Sequence, residues 1–195
     1  MNMKIILSSN SPRRRQLLAG LDLDFEVKVL PGIDESYPDD LSPEQVPQYI
    51  AVEKAQPYLP SLADDELLIT ADTVVVLGNE ILGKPADTAE ACRMLRMLSG
   101  KTHQVITGVC LTTRAEQRKF AVTSHVSFKE FTDEEINYYV EHYRPFDKAG
   151  AYGIQEWIGY IGVTGLSGSY FNVMGFPVQR IYQEITDMFG PLHHS

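Results

Sequence analysis

The residues best suited to chemistry lie in Leu67 to Pro85, LLITADTVVVLGNEILGKP, where a carboxylate interrupts an otherwise apolar run. Leu67, Leu68 and Ile69 lead into Val74, Val75, Val76 and Leu77, a β-branched stretch bounded by Gly78-Asn79, and this pattern predicts a central strand followed by a turn. Asp72 falls inside it. Asp is depleted in strands, and an ionised carboxylate buried without a partner either costs several kcal/mol or takes up a proton. A cation is therefore expected beside it. Lys84, reached across the Gly-Asn turn through Ile81 and Leu82, could meet the carboxylate or the same ligand. Two readings stay open at this level: Asp72 serves a bound ligand, or it opens a loop or pairs with one arginine for structure.

A second basic group stands near the start of the chain. Lys4 to Leu7 reads as a short apolar strand, Ser8-Ser9-Asn10 as a polar loop, and Ser11 as the cap of a helix with Pro12 in its first position and Gly20 at its end. Leu17 and Leu18 give that helix its buried stripe, so Arg13 and Arg14 project from the first turn beside it. Cations there oppose the helix dipole by up to about 1 kcal/mol each, whereas an anion is welcomed by the free N–H groups. A phosphate would reconcile these features. Solvated arginines are the alternative, best suited to Arg15.

Weaker candidates follow along the chain. Phe25, Val27 and Val29 alternate with Glu26 and Lys28 in an expected half-buried strand that stops at Pro31-Gly32. Asp34 and Glu35 come next, two carboxylates that could hold a divalent metal or be surface charge. Ser42-Pro43 and Gln45 open a helix with a capping-box pattern, but Pro47 forces a kink or a later start. Lys54 shares a face with Ile50, a position from which lysines commonly snorkel to water. Asp147 to Gln155, DKAGAYGIQ, is too small-sided for a core, and its glycines allow close backbone approach to a ligand.

The remaining segments read as scaffold. Asp87 and Glu90 start a helix through Leu95 and Leu98 that Gly100 closes. Thr102–Thr113 and Lys119–Phe128 read as a hairpin around Arg114–Gln117, with His103 and His125 structural. Thr132 and Glu135 cap a helix whose inner face is Ile136, Tyr139 and Val140. Gly168-Ser169-Tyr170 and Gly175-Phe176-Pro177 make turns, and Val178, Ile181, Tyr182, Ile185 and Phe189 repeat at a helical period that should cover a sheet face. Strands and helices mix without strict alternation, so the expected class is α/β with a mixed sheet and flanking helices.

Composition narrows the function classes. The 195 residues suit one domain, 1–190, before a loose tail, GPLHHS, whose His193 and His194 are expected to be solvated. A net charge of -9 argues against a general nucleic-acid or anionic-membrane binder, so an anion must be met by a few placed residues. Cys92 and Cys110 lack metal-ligand spacing and read as packed thiols in a reducing compartment. MNMKIILSSN has too short an apolar run for a signal peptide, and a cytoplasmic setting is expected.

The ordered set SNSPRR, ADTVV, GKP, LSGKTHQV, DKAGAYGIQ and GSYFNVMGFP resembles the Maf family of nucleoside triphosphate pyrophosphatases over nearly the whole chain. That resemblance implies a relative of the inosine triphosphate pyrophosphatase fold, with a twisted mixed sheet and two lobes around a cleft. It further implies hydrolysis of a nucleoside triphosphate to monophosphate and pyrophosphate with a divalent metal, Mg2+ or Mn2+. By the same carry-over the proton acceptor is Asp72, and the specificity positions are Arg13, Thr73 and Gln155, in the form of the dTTP/UTP branch rather than the 7-methyl-GTP branch. Phosphate contacts map onto Ser9, Arg14, Lys54 and Lys84, and metal contacts onto Glu35 and Asp72. Ser8 stands where the family usually has Ala, and Pro47 and WIGYIGVTGLSG are particular to this chain or its relatives. The expected partner is a small nucleotide substrate, with neither nucleic acid nor membrane, and a homodimer would be in keeping with the family. A nucleotide-binding regulator of septum formation without turnover, and a family enzyme with another base specificity such as 7-methyl-GTP, are the competing readings. Retention of Asp72 and Glu35 beside the basic set favours the enzyme.

Overall fold

Strand β1 (Lys4–Leu7), helix α1 (Pro12–Ala19), β2 (Phe25–Val27), α2 (Val46–Ala55) and β3 (Glu66–Leu77) open the chain in a computed structural model that describes residues 3–193. His194 therefore lies outside the described residues; His193 is exposed, its ring stacked on Tyr182. There follow β4 (Glu80–Leu82), α3 (Thr88–Leu98), β5 (Thr102–Thr112), β6 (Gln117–Phe128), α4 (Asp133–Tyr143), α5 (Trp157–Gly162), β7 (Val163–Ser167), α6 (Tyr170–Val173) and α7 (Val178–Phe189). The strands form one seven-stranded sheet in the order β2-β1-β3-β5-β6-β7, with β4 paired to β3. β1 is parallel to β2 and β3, whereas the β3–β4 and β6–β7 pairs are antiparallel. The sheet is thus mixed, as the irregular alternation of elements implied.

By contact density the described chain forms two compact units. One comprises the residues up to Asp72, Thr107–Val122 and those from Gly175 on; the other comprises Thr73–Ile106 and Thr123–Met174. In the first unit the two-residue period of β3 sorts its side chains by face. Leu67, Ile69 and Ala71 join Leu18 of α1 and Ile181 and Ile185 of α7 in one apolar cluster. Leu68 joins Ala51 and Ala55 of α2 in another, and the Thr70 hydroxyl donates to the Ala51 carbonyl at 2.6 Å. Asp72, next on that second face, is thereby aimed at α2. In β5, Gly108 lets α2 lie this close, since a Cβ there would collide with the backbone of Pro47 and Gln48.

The second unit has its own core, built from Ala91, Leu95 and Leu98 of α3, Ile136, Tyr139 and Val140 of α4, and Val126 and Phe128 of β6. Its helices start as their caps dictate. Asp87 accepts from Glu90 N–H at 2.8 Å, and Thr132 and Glu135 form a reciprocal capping box. Both cysteines are buried free thiols.

The structure refines the expectations at three places. β2 is only three residues long, with Val27 and Val29 exposed, because it is an edge strand paired with the four-residue β1 and ends where that partner ends, Val27 opposite Leu7. α2 takes the later start that Pro47 allowed, at Val46: Gln45 Oε1 accepts from Ser42 N–H at 3.0 Å, so the capping contact forms in a turn, with Pro47 placed where its missing donor costs nothing. WIGYIGVTGLSG, assigned no element from sequence, forms α5 and β7, and Ser169 caps the short α6 instead of ending in a bare turn.

Candidate active site

In the first unit the charged candidates collect around α2 and the end of β3. Asp72 lies within the strand, so it does not begin a loop. Its carboxylate is 3.5 Å from Lys54 Nζ, and the same ammonium lies 3.1 Å from Glu35 Oε1 and donates to the Ala71 carbonyl at 3.1 Å. Lys54 reaches this point because α2 presents it one turn after Ala51, the residue that Thr70 holds. Only 15% of each of the Lys54 and Asp72 side chains is exposed, so this lysine turns toward the sheet and does not snorkel to water. Asp34 and Glu35 separate. Asp34 accepts from Ser36 N–H and Oγ in a local turn, and that bonding holds its pKa below the usual carboxylate value, while Glu35 alone turns to Lys54.

Burial raises the Asp72 pKa above the ordinary carboxylate value. Lys54 and Arg14 oppose that shift, and Glu35 adds to it. Arg14 is half-buried on α1 and donates from Nε to the Gly175 carbonyl at 2.9 Å and from Nη1 to the Ala71 carbonyl at 3.1 Å. Its guanidinium thus ties α1 to the segments before Asp72 and before Phe176. Arg13 is half-buried beside it, and Arg15 is exposed with Nε on the Ser9 carbonyl. Ser9 is buried, and its Oγ accepts from Ser11 N–H at 3.1 Å, while Ser11 Oγ accepts from Arg14 N–H. Ser8 hydrogen-bonds Tyr58, whose hydroxyl also donates to Lys28 O and accepts from Leu30 N–H, so the hydroxyl at this position has a buried partner.

In the second unit the candidates are Thr73, Lys84 and Gln155. Thr73 is half-buried in β3, and Lys84 is exposed just after β4. The GKP and DKAGAYGIQ segments meet through Gly150 N–H, which donates to Gly83 O at 3.1 Å. Gly150 has φ +69°, and a Cβ on it would come 2.8 Å from Val75 Cγ2. The close approach its glycine permits is therefore to the strand. Gln155 Oε1 is buried without a hydrogen-bond partner among the described residues.

Sequence reasoning missed the residues around this glutamine. Tyr139, taken only as core, donates its hydroxyl to Glu156 Oε1 at 2.9 Å and accepts from Gly153 N–H at 3.0 Å. Lys148 Nζ lies 3.4 Å from the same Glu156 oxygen and 2.9 Å from Asp147. The glycines of DKAGAYGIQ drew notice, but nothing in its spacing marks a phenol from another helix. Among the described residues no group of three or more His, Cys, Asp or Glu side chains is placed to hold a metal, and no helix is long and apolar enough to cross a membrane.

The family model for Maf-like proteins matches residues 4–188, and this chain belongs to that family. It is 62% identical over 182 residues to a dTTP/UTP pyrophosphatase of Phocaeicola vulgatus, covering 93% of this chain and 94% of that protein. It is 59% identical over 182 residues to a dTTP/UTP pyrophosphatase of Parabacteroides distasonis, again covering 93% and 94%. A protein of the same name from Porphyromonas gingivalis is 57% identical over 189 residues, covering 96% of this chain and 94% of its own length.

Proposed function

We propose that this chain is a nucleoside triphosphate pyrophosphatase that converts dTTP and UTP to the monophosphate and pyrophosphate. The observation that carries the reading is a half-buried mid-strand carboxylate, Asp72, held by Lys54 with Arg14 and Glu35 close by. The dTTP/UTP pyrophosphatases with 57–62% identity over nearly the whole chain support it.

Attack of water at the α-phosphorus needs a proton acceptor, neutralised phosphate oxygens and an aligned leaving group. Asp72 takes the proton, since a carboxylate raised above its ordinary value is a stronger base, and Lys54 and Arg14 favour its ionised form against the effect of burial. Arg13 and Ser9, at the start of α1, bind phosphate oxygens with the first-turn N–H groups, and Lys84 adds a point charge. Arg14, already donating to two carbonyls, acts chiefly by fixing Asp72's segment. Gln155 offers an acceptor and a donor that match the carbonyl and imide N–H of uracil or thymine, and Thr73 shares in the choice of base.

Glu35 and Asp72 are the residues for a divalent ion. Both carboxylates are drawn to one ammonium, and Mg2+ or Mn2+ characteristically takes one or two carboxylates, completing its shell from substrate phosphate and water. When bound, such an ion polarises the phosphoryl oxygen and acidifies the attacking water.

The test is a panel of nucleoside triphosphates incubated with protein and Mg2+, with separate assays for pyrophosphate and orthophosphate. Pyrophosphate from dTTP and UTP is expected. Orthophosphate as the first product, or tight UTP binding without turnover, contradicts the reading.

A further inference from the structure

Both ends of the Gly153–Glu156 turn are bonded to one phenol oxygen. Tyr139, fully buried on α4, accepts from Gly153 N–H and donates to Glu156 Oε1. The turn closes on itself through Glu156 N–H to Gly153 O at 3.0 Å, and Ile154 between them is packed in the core. Glu156 Oε1 also takes Lys148 Nζ at 3.4 Å, so its charge is balanced with only 20% of its side chain exposed. A Cβ on Gly153 would lie 2.6 Å from Glu156 Oε1, 2.9 Å from Lys148 Cε and 3.1 Å from Gln155 Nε2, so a side chain there would displace these groups from their contacts. The residue left to act is Gln155, carried between these fixed points with a buried amide oxygen that no described protein group satisfies.

We infer that Tyr139 is a positioning residue for base selection, fixing through Gly153 and Glu156 the turn that aims the Gln155 amide at a pyrimidine base. This rests on the reading of Gln155 given above and deepens it. An amide discriminates uracil from cytosine only if its donor and acceptor ends are held in one orientation, because the two bases exchange donor and acceptor along the same edge. A phenol bonded to the backbone on one side of Gln155 and to the side chain of the next residue supplies that restraint. Removing its oxygen takes the acceptor from Gly153 N–H and leaves Glu156 Oε1 to Lys148 alone, while keeping the ring in the core.

The experiment measures kcat and KM of the full chain for UTP and CTP in wild type, Tyr139→Phe, Gln155→Ala and the double variant, with thermal unfolding of each. Wild type should prefer UTP. Tyr139→Phe should lower the UTP/CTP ratio of kcat/KM by about tenfold, the scale of one mis-set hydrogen bond. In the Gln155→Ala background the same change should leave the ratio unaltered, since the two residues then act through one contact. A Tyr139→Phe protein that slows on both substrates equally with its ratio intact, or whose effect multiplies with that of Gln155→Ala, overturns the inference. Should Tyr139→Phe not fold, Glu156→Gln takes its place: it keeps an acceptor for the phenol and must retain the wild-type ratio, whereas Glu156→Leu must lose it. A wild-type protein that hydrolyses UTP and CTP alike overturns instead the base reading on which the inference stands.

Discussion

Lys54 Nζ stands 3.5 Å from Asp72 Oδ1 and donates to the carbonyl of Ala71, the residue before it, so one ammonium holds both the strand backbone and the carboxylate that follows. Glu35 approaches the same ammonium from a segment without regular structure and with half its side chain exposed. The two contacts differ in consequence: the pair with Asp72 favours the charged form of a half-buried group, whereas that with Glu35 is open to solvent and exchange.

Replacing Lys54 with Met removes the cation that most opposes the burial of Asp72, so the carboxyl pKa rises further. A base must be deprotonated to act. The acidic limb of the kcat/KM profile for UTP should move to higher pH, and activity at neutral pH should fall by about tenfold or more. An unmoved limb in a folded variant would show that Lys54 does not tune Asp72.

Gly108 sets how closely α2 lies on β5 in the first unit, and hence where Lys54 arrives. Gly108→Ala drives a methyl group into the backbone of Pro47 and Gln48, a clash that no side-chain rotation relieves. The variant should lose about 3 kcal/mol in urea unfolding, the upper range of overpacking. A loss within experimental error would mean that α2 can lift without penalty.

Much of this arrangement was legible in the chain, and what was not has a common cause. Asp72 announced itself because a carboxylate in a β-branched run demands a cation, and the caps Ser11, Asp87 and Thr132 begin their helices because they satisfy N–H groups a few residues away. Contacts between distant segments are another matter. Which cation meets Asp72 depends on how α2 crosses β3, and the signal for that crossing was Gly108, an isolated glycine in a strand. Lys54 therefore read as a snorkelling side chain, and Tyr139 as core alone, because a phenol's partners are invisible to periodicity. α5 and β7 escaped because the glycines in WIGYIGVTGLSG mask both helical and strand patterns.

His103 is buried in the second unit, with Nε2 bonded to the Tyr152 hydroxyl, and burial pushes its pKa from 6.5 down to about 4. Well above pH 6.5 the ring is neutral whether the chain is folded or unfolded, and the group has almost no effect on stability. As pH falls from 6.5 toward 4 the unfolded chain takes up the proton first, so stability declines, by about 2 kcal/mol from this residue at pH 5. Urea midpoints at pH 7 and pH 5 check this. His103→Gln, which cannot titrate, should flatten the difference, and an unchanged difference would place the acid sensitivity elsewhere.

Gln155→Glu replaces a donor-acceptor pair by an ionised acceptor. Turnover of UTP and dTTP should drop by about tenfold or more in kcat/KM. Equal losses on every triphosphate would remove Gln155 from base recognition.

The most direct measurement compares kcat on UTP for wild type and Asp72→Asn, at saturating Mg2+ and with folding verified by matched thermal unfolding. Asparagine keeps the shape but accepts no proton, and turnover should fall by about a thousandfold, within the span of general-base catalysis. An Asp72→Asn protein that releases pyrophosphate at the wild-type rate would contradict the account.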